Sequence, residues 1–262
     1  MKDFNYKKKF GQNFLKDNHI VEKIVYESQI PKNTLVIEVG PGKGILTKEL
    51  SKKAKNVICY EIDEELQYDL IKLQGEYNNV MFKFCDFLNV DLIADIKEYK
   101  YEHLYFISNV PYYITTPILM KIMDAQLPFE KIVMMVQKEV GDRFSAKPGS
   151  KSYSSITVFL NYFYDIKKLF NVSRNEFVPV PNVDSEVISL QLKKDRKKSK
   201  NEEKFFELVR NSFRFKRKTI KNNLKNYDLD KIEVILKNNG YTLESRAETI
   251  PYEVFVEISN AL

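Results

Sequence analysis

The chain has 262 residues, 44% hydrophobic and 13% aromatic, enough to bury a full core in one large domain with a smaller one beside it. No run of about 18 apolar residues occurs, and the lysine-rich start leads into no apolar stretch, so neither a membrane span nor a secretory signal is expected and the cytoplasm is the default location. The net charge of +6 is unevenly spread: Arg196 to Lys225 holds twelve Lys or Arg against three acids, a local +9 that leaves about −3 for everything else and favours a polyanionic partner over a merely solvated face.

Along the chain, Lys7, Lys8 and Lys9 precede Phe10-Gly-Gln-Asn-Phe-Leu15, a mixture of cations, rings and amides suited to a flap that brings lysines to phosphate and Asn13 with Leu15 to a ligand. Ile20, Val21, Ile24 and Val25 then follow helical spacing. Thr34 to Val39 reads as a buried strand, Gly40-Pro-Gly-Lys-Gly44 as a turn, and Ile45, Leu46 and Leu50 as the start of a helix. Gly40 and Gly42 let backbone pass close to a ligand and leave helix N-terminal N–H groups for an anionic group.

A second strand runs from Asn56 to Ile62. It carries Glu61, 21 residues after Gly40, where an acid at a strand tip meets ribose hydroxyls in Rossmann-like units. A third strand, Val80 to Cys85, ends in Asp86. The alternative is that Glu61 and Asp86 are loop acids. The glycine pattern is Gly-x-Gly-x-Gly, and Ile45 stands where a dinucleotide fingerprint needs a small residue. Cys59 and Cys85 read as buried thiols; with His19 and His103 they show no metal-ligand spacing, and no metal is expected.

An apolar run from Leu104 to Ile107 closes in Ser108-Asn-Val-Pro-Tyr-Tyr113, ahead of a helix opening at Thr115-Thr116-Pro117. Asn109 offers an amide oxygen, Pro111 a stiff turn with a carbonyl that lacks a local donor, and Tyr112 a stacking face. Together they suit an exocyclic amine on a flat heteroaromatic ring. A strand-ending turn with one capping Asn and one core tyrosine would look the same.

Lys131 to Gln137 is a fifth strand, with a helix starting in Lys138-Glu-Val-Gly-Asp-Arg-Phe144. A loop at Lys147 to Ser154 and an apolar run from Ile156 to Tyr164 come next. Pro179 and Pro181 stiffen the loop from Glu176 to Ser185, which either holds Phe177 over a pocket or buries it in a hairpin loop; a last strand spans Glu186 to Leu192. Six basic residues in Lys193 to Lys200 mark a boundary between a domain of 1–194 and one of 195–262. Beyond it the pattern is helical, with Arg214, Lys216, Arg217 and Lys218 forming a basic edge.

On Phe10-Gly-Gln-Asn-Phe-Leu15, Glu38-Val-Gly-Pro-Gly42, Glu61-Ile-Asp63, Asn109-Val-Pro-Tyr112, Gln137-Lys-Glu-Val140, Phe177 to Ser185 and Arg217-Lys-Thr219, the chain resembles the KsgA (RsmA) family of bacterial small-subunit ribosomal RNA adenine dimethyltransferases. The resemblance implies an α/β fold, a Rossmann-like S-adenosylmethionine-dependent methyltransferase sheet of seven strands with a small C-terminal all-α domain. It implies S-adenosylmethionine held by Asn13, Leu15, Gly40, Gly42, Glu61, Ile62, Asp86 and Asn109. It implies a target adenine between Tyr112 and Phe177, with Asn109, Pro111, Tyr112 and Phe177 as the catalytic set. The implied substrate is a pair of adjacent adenines near the 3′ end of 16S rRNA, dimethylated at N6 within an immature small subunit, with Lys7, Lys8, Lys9, Arg214, Lys216, Arg217 and Lys218 on RNA, by a monomer. Val110 and Tyr113 depart from the family's frequent Asn-Leu-Pro-Tyr-Asn, as does Phe215 within the basic cluster. The alternatives are a large-subunit adenine methyltransferase of the macrolide-resistance type and a ribosome-assembly binding module without catalysis.

Overall fold

The computed structural model describes residues 13–262, so Lys7, Lys8, Lys9 and the Phe10–Gln12 part of the first motif lie outside the described residues. Among the described residues there are nine strands: β1 (Phe14–Leu15), β2 (Thr34–Val39), β3 (Asn56–Glu61), β4 (Val80–Phe84), β5 (His103–Asn109), β6 (Lys131–Gln137), β7 (Tyr164–Val172), β8 (Phe177–Val178) and β9 (Ser185–Leu192). Seven form one sheet in the order β4-β3-β2-β5-β6-β9-β7, while β1 and β8 pair separately as an antiparallel ribbon. The strands β2 to β6 are mutually parallel where they neighbour, and β9 runs antiparallel to β6. Their continuous apolar runs fit this: every residue of β2 is buried, as sheets covered on both faces require.

Chain order places the site. From β2 the sheet grows outward through β3 and β4, then returns to the opposite side of β2 with β5 and β6. This reversal is a topological switch point, and the crevice it leaves opens beyond the carboxyl ends of β2 and β5. Backbone pairing between these strands runs to Ile37 opposite Phe106. Past that point the Ser108 hydroxyl donates to the Val39 carbonyl at 2.5 Å, so a side chain keeps the diverging ends in register.

The chain packs as two compact units. One takes the chain through Gly141 together with Lys167–Leu192; the other takes Asp142–Ile166 together with Lys193–Leu262. The second is not a single stretch because the helix Ser155–Phe163, apolar on most of its surface, packs with the C-terminal helices. Tyr162 stacks on Phe205 at 4.5 Å between ring centroids, and Phe159 meets Phe206 edge-on at 5.1 Å.

Within the basic stretch from Lys193 to Lys200, expected to mark a domain boundary, part of the chain packs on this unit: the Arg196 guanidinium lies 4.1 Å from the Tyr162 ring centroid and pairs with Glu202 at 2.8 Å, and Lys197 pairs with Glu257. Its methylene and planar surfaces cover aromatic rings that a polar count ignores. The cluster Arg214 to Lys218 is not part of a helix. The helix Glu202–Ser212 ends before it, and the next begins at Ile220.

Candidate active site

A cavity of about 290 Å³ fills the switch-point crevice. Its wall includes Asn13 and Leu15 from the β1 segment, Gly40 and Gly42 after β2, Glu61 and Ile62 at the end of β3, Asp86 after β4, and Asn109, Pro111 and Tyr112 after β5. Residues far apart in sequence thus converge because four successive parallel strands end at one sheet edge.

The glycine turn is shaped by close approach. Gly40 adopts φ +70° and its N–H donates to the Tyr60 carbonyl at 2.8 Å; a Cβ there would sit 3.4 Å from Pro111 Cδ. Gly42, at φ +57°, has no room at all, since a Cβ would fall 2.6 Å from the Phe14 ring. Glu61 closes the turn from the side: one carboxylate oxygen accepts the Gly42 N–H at 3.1 Å and the other the Asp63 N–H at 2.8 Å. Burial pushes the Glu61 carboxyl upward, while those two N–H donors act against the shift.

Behind Glu61 stands a second acid. Glu38, 1% exposed, accepts from the Thr47 hydroxyl at 2.7 Å and the Cys59 thiol at 3.3 Å, and burial raises its pKa to about 7. It also lines the cavity. Its signal in the sequence was an acid inside the apolar run of β2, which the motif contained but no reading of single residues assigned. Phe14, Tyr113 and Ile114 also line the cavity, and none of the three had been assigned a site role.

Asp86 caps the short turn after β4, accepting from the Leu88 N–H at 2.9 Å and the Asn89 amide at 3.1 Å. Asn109 is half-buried, with its side-chain amide unpaired among the described residues. The Pro111 carbonyl does have a local donor, contrary to expectation: the turn Tyr112–Ile114 brings the Ile114 N–H to 3.2 Å, leaving the second lone pair of that oxygen for a ligand. The Tyr112 hydroxyl shares a 2.5 Å hydrogen bond with Ser185, which anchors the ring.

Phe177 is not brought to the cavity. Its ring is fully buried on β8, opposite Leu15, in the core that also holds Val172 and Val187. The buried-ring alternative describes this conformation, because pairing with β1 turns the side chain inward. Arg214, Lys216, Arg217 and Lys218 belong to the other unit, on the exposed turn before Ile220. Cys59 is buried as expected; Cys85 is half-buried and lines the cavity, where burial pushes its thiol up. No group of His, Cys, Asp or Glu among the described residues could hold a metal ion, and no described helix is long and apolar enough to cross a membrane.

A switch-point cavity with a Gly-x-Gly-x-Gly turn, an acid at the next strand tip and an Asn-x-Pro-Tyr strand end defines a Rossmann-like S-adenosylmethionine-dependent methyltransferase. The residues present fit that cofactor: the glycine turn leaves backbone exposed at the wall, and among the described residues the buried Glu61 carboxylate accepts from backbone N–H groups, which leaves it lone pairs for the ribose hydroxyls. The chain belongs to the ribosomal RNA adenine dimethylase family, whose model matches residues 3–262. It is 40% identical to a ribosomal RNA small subunit methyltransferase A from Oceanobacillus iheyensis, over 98% of this chain and 90% of that one. Among solved structures, a dimethyladenosine transferase from Plasmodium falciparum superposes with a TM-score of 0.76 at 26% identity, covering 94% of this chain and 95% of that one. The 23S rRNA methyltransferase ErmE superposes with a TM-score of 0.75 at 25% identity, covering 95% and 99%.

Proposed function

We propose that the chain dimethylates N6 of two adjacent adenines in the 3′-terminal helix loop of 16S rRNA, acting on the immature small ribosomal subunit in the cytoplasm. The observation that carries this reading is the strand end Asn109-Val-Pro-Tyr112 on the wall of the cofactor-type cavity, in a chain 40% identical to a small-subunit methyltransferase over nearly its whole length. The fold neighbour that acts on 23S rRNA shares less sequence, and an assembly factor without catalysis has no use for this wall. The proposed acting species is a monomer.

S-adenosylmethionine supplies a methyl group on a positively charged sulfonium. Asn13, Leu15, Gly40, Gly42, Glu61, Ile62, Asp86 and Asn109 would hold it, with Glu61 taking the ribose hydroxyls. The Asn109 amide oxygen and the free lone pair of the Pro111 carbonyl would accept hydrogen bonds from the two N6–H groups, holding the nitrogen pyramidal so that its lone pair is withdrawn from the ring; each methyl gained replaces one N6 proton, which leaves to water. Proximity and orientation then supply most of the acceleration, because no charge develops that needs an oxyanion hole. Tyr112, anchored through Ser185, would stack on the flipped base. Phe177 would form the opposite face only if the β1–β8 ribbon shifts, since its ring is buried.

The experiment is methyl incorporation from labelled S-adenosylmethionine into immature small subunits and, separately, large-subunit precursors. The reading expects two methyls on each of two adenines in the small subunit. Label confined to large-subunit RNA would overturn it in favour of the resistance type, and tight subunit binding with no label would leave only an assembly role.

A further inference from the structure

The turn between Ser212 and Ile220 carries an aromatic among its cations: Arg214, Phe215, Lys216, Arg217, Lys218. Phe215 is 56% exposed, whereas Phe205 and Phe255 of the same unit are fully buried. An isolated exposed ring is ordinary, but the backbone that carries this one is held in place. Its N–H donates to Asn223 Oδ1 at 3.1 Å, and the Asn223 amide donates back to the carbonyls of Phe215 at 3.3 Å and Lys218 at 3.4 Å. The Lys218 N–H closes the turn on the Phe215 carbonyl at 2.9 Å. One side chain from the following helix therefore fixes the backbone on both sides of the ring, while the Arg214 guanidinium lies 5.5 Å from its centroid.

We propose that Phe215 is a stacking platform for an unpaired RNA nucleotide, with the flanking cations meeting the neighbouring phosphates. The proposal deepens the RNA reading above and rests on it. A solvated basic loop needs no fixed ring, and an apolar protein partner would not select four cations and no acid around one phenylalanine. A single strand offers both matching features, an exposed π face and a phosphate at each step. Phenylalanine carries no hydrogen-bonding group, so the platform should tolerate any base.

The chain has no tryptophan, so Phe215→Trp places one indole at the site. Titrating this full-length variant with a short single-stranded oligoribonucleotide is expected to quench the indole, and the matching duplex to quench it much less. Phe215→Ala and Phe215→Leu should each lose roughly five- to a hundredfold in single-strand affinity with an unchanged salt slope, and Phe215→Tyr should bind as the parent does. Lys216→Gln, by contrast, should lower the slope by about one. Saturable binding without quenching, or Phe215→Ala binding like the parent protein, would overturn the platform. Methyl transfer to immature small subunits, measured alongside, separates the two readings: normal transfer with an indifferent Phe215→Ala removes the platform alone, whereas stacking without transfer by the parent protein removes the proposed reaction.

Discussion

The Glu61 carboxylate holds the Gly42 N–H at 3.1 Å, tying the tip of β3 to the glycine turn after β2. The acid expected to meet the ribose therefore also sets the turn on which the rest of the cofactor would lie. Glu61→Ala removes a charge-assisted acceptor, worth about 1.5–3 kcal/mol, and should weaken S-adenosylmethionine binding about ten- to a hundredfold by calorimetric titration. Unchanged affinity in a folded variant would take Glu61 out of the site.

Glu38 gives the fold a defined pH dependence. Its carboxyl titrates near pH 7 in the folded chain instead of 4.5, so between those values the folded state keeps a proton that the unfolded state has released. This contribution to stability is fully present below about pH 4.5 and is lost as pH rises through about 7, with a total on the order of 3 kcal/mol. Urea midpoints of the parent should fall across that window more steeply than those of Glu38→Gln; parallel curves would contradict the assignment. Because the cofactor carries a fixed positive sulfonium, its binding near neutral pH should also release a proton in the parent and not in Glu38→Gln. Calorimetry in two buffers of different ionisation enthalpy reads that difference.

Tyr112 separates anchoring from stacking. Tyr112→Phe keeps the ring and strands the buried Ser185 hydroxyl, so thermal or urea denaturation should show a loss of about 1–3 kcal/mol while methyl transfer persists. Tyr112→Ala should in addition lose about 1–3 kcal/mol of stacking on the base, seen as weaker use of immature subunits with cofactor affinity little changed. Equal transfer by the Ala and Phe variants would remove the ring from the base site.

The strands that position the site were legible because they are continuous apolar runs: Thr34–Val39 and Lys131–Gln137 begin and end where the pattern does. β7 was not, since Asp165, Lys167 and Lys168 give an edge strand too little apolar content to declare itself. The strand-end residues were readable from type and position, as the topology brings each of those tips to one edge. Phe177 was not, because a residue on a two-residue ribbon has no periodicity, and only its pairing with Leu15 decides which way the ring faces. The basic cluster looked helical by composition, but three hydrogen bonds between the Asn223 side chain and the backbone of Phe215 and Lys218 hold it as a turn, a side-chain closure that hydrophobic periodicity does not record.

The exposed cations of that turn should act as phosphate contacts. Neutralising Arg214, Lys216, Arg217 and Lys218 together should reduce the slope of log affinity against log salt by about 3–4 for RNA, if each meets one phosphate. A slope like that of the parent would place the RNA elsewhere.

Orientation of an exocyclic amine at the β5 strand end is the core of the mechanism, and Asn109 tests it most directly. Single-turnover methyl transfer to immature small subunits should be compared for the parent and Asn109→Ala, with subunit binding measured on the same preparations. The expected result is a loss of transfer of roughly a hundredfold or more with binding nearly intact, as for a group that positions the reacting atom. Transfer by Asn109→Ala at the parent's rate would contradict the account.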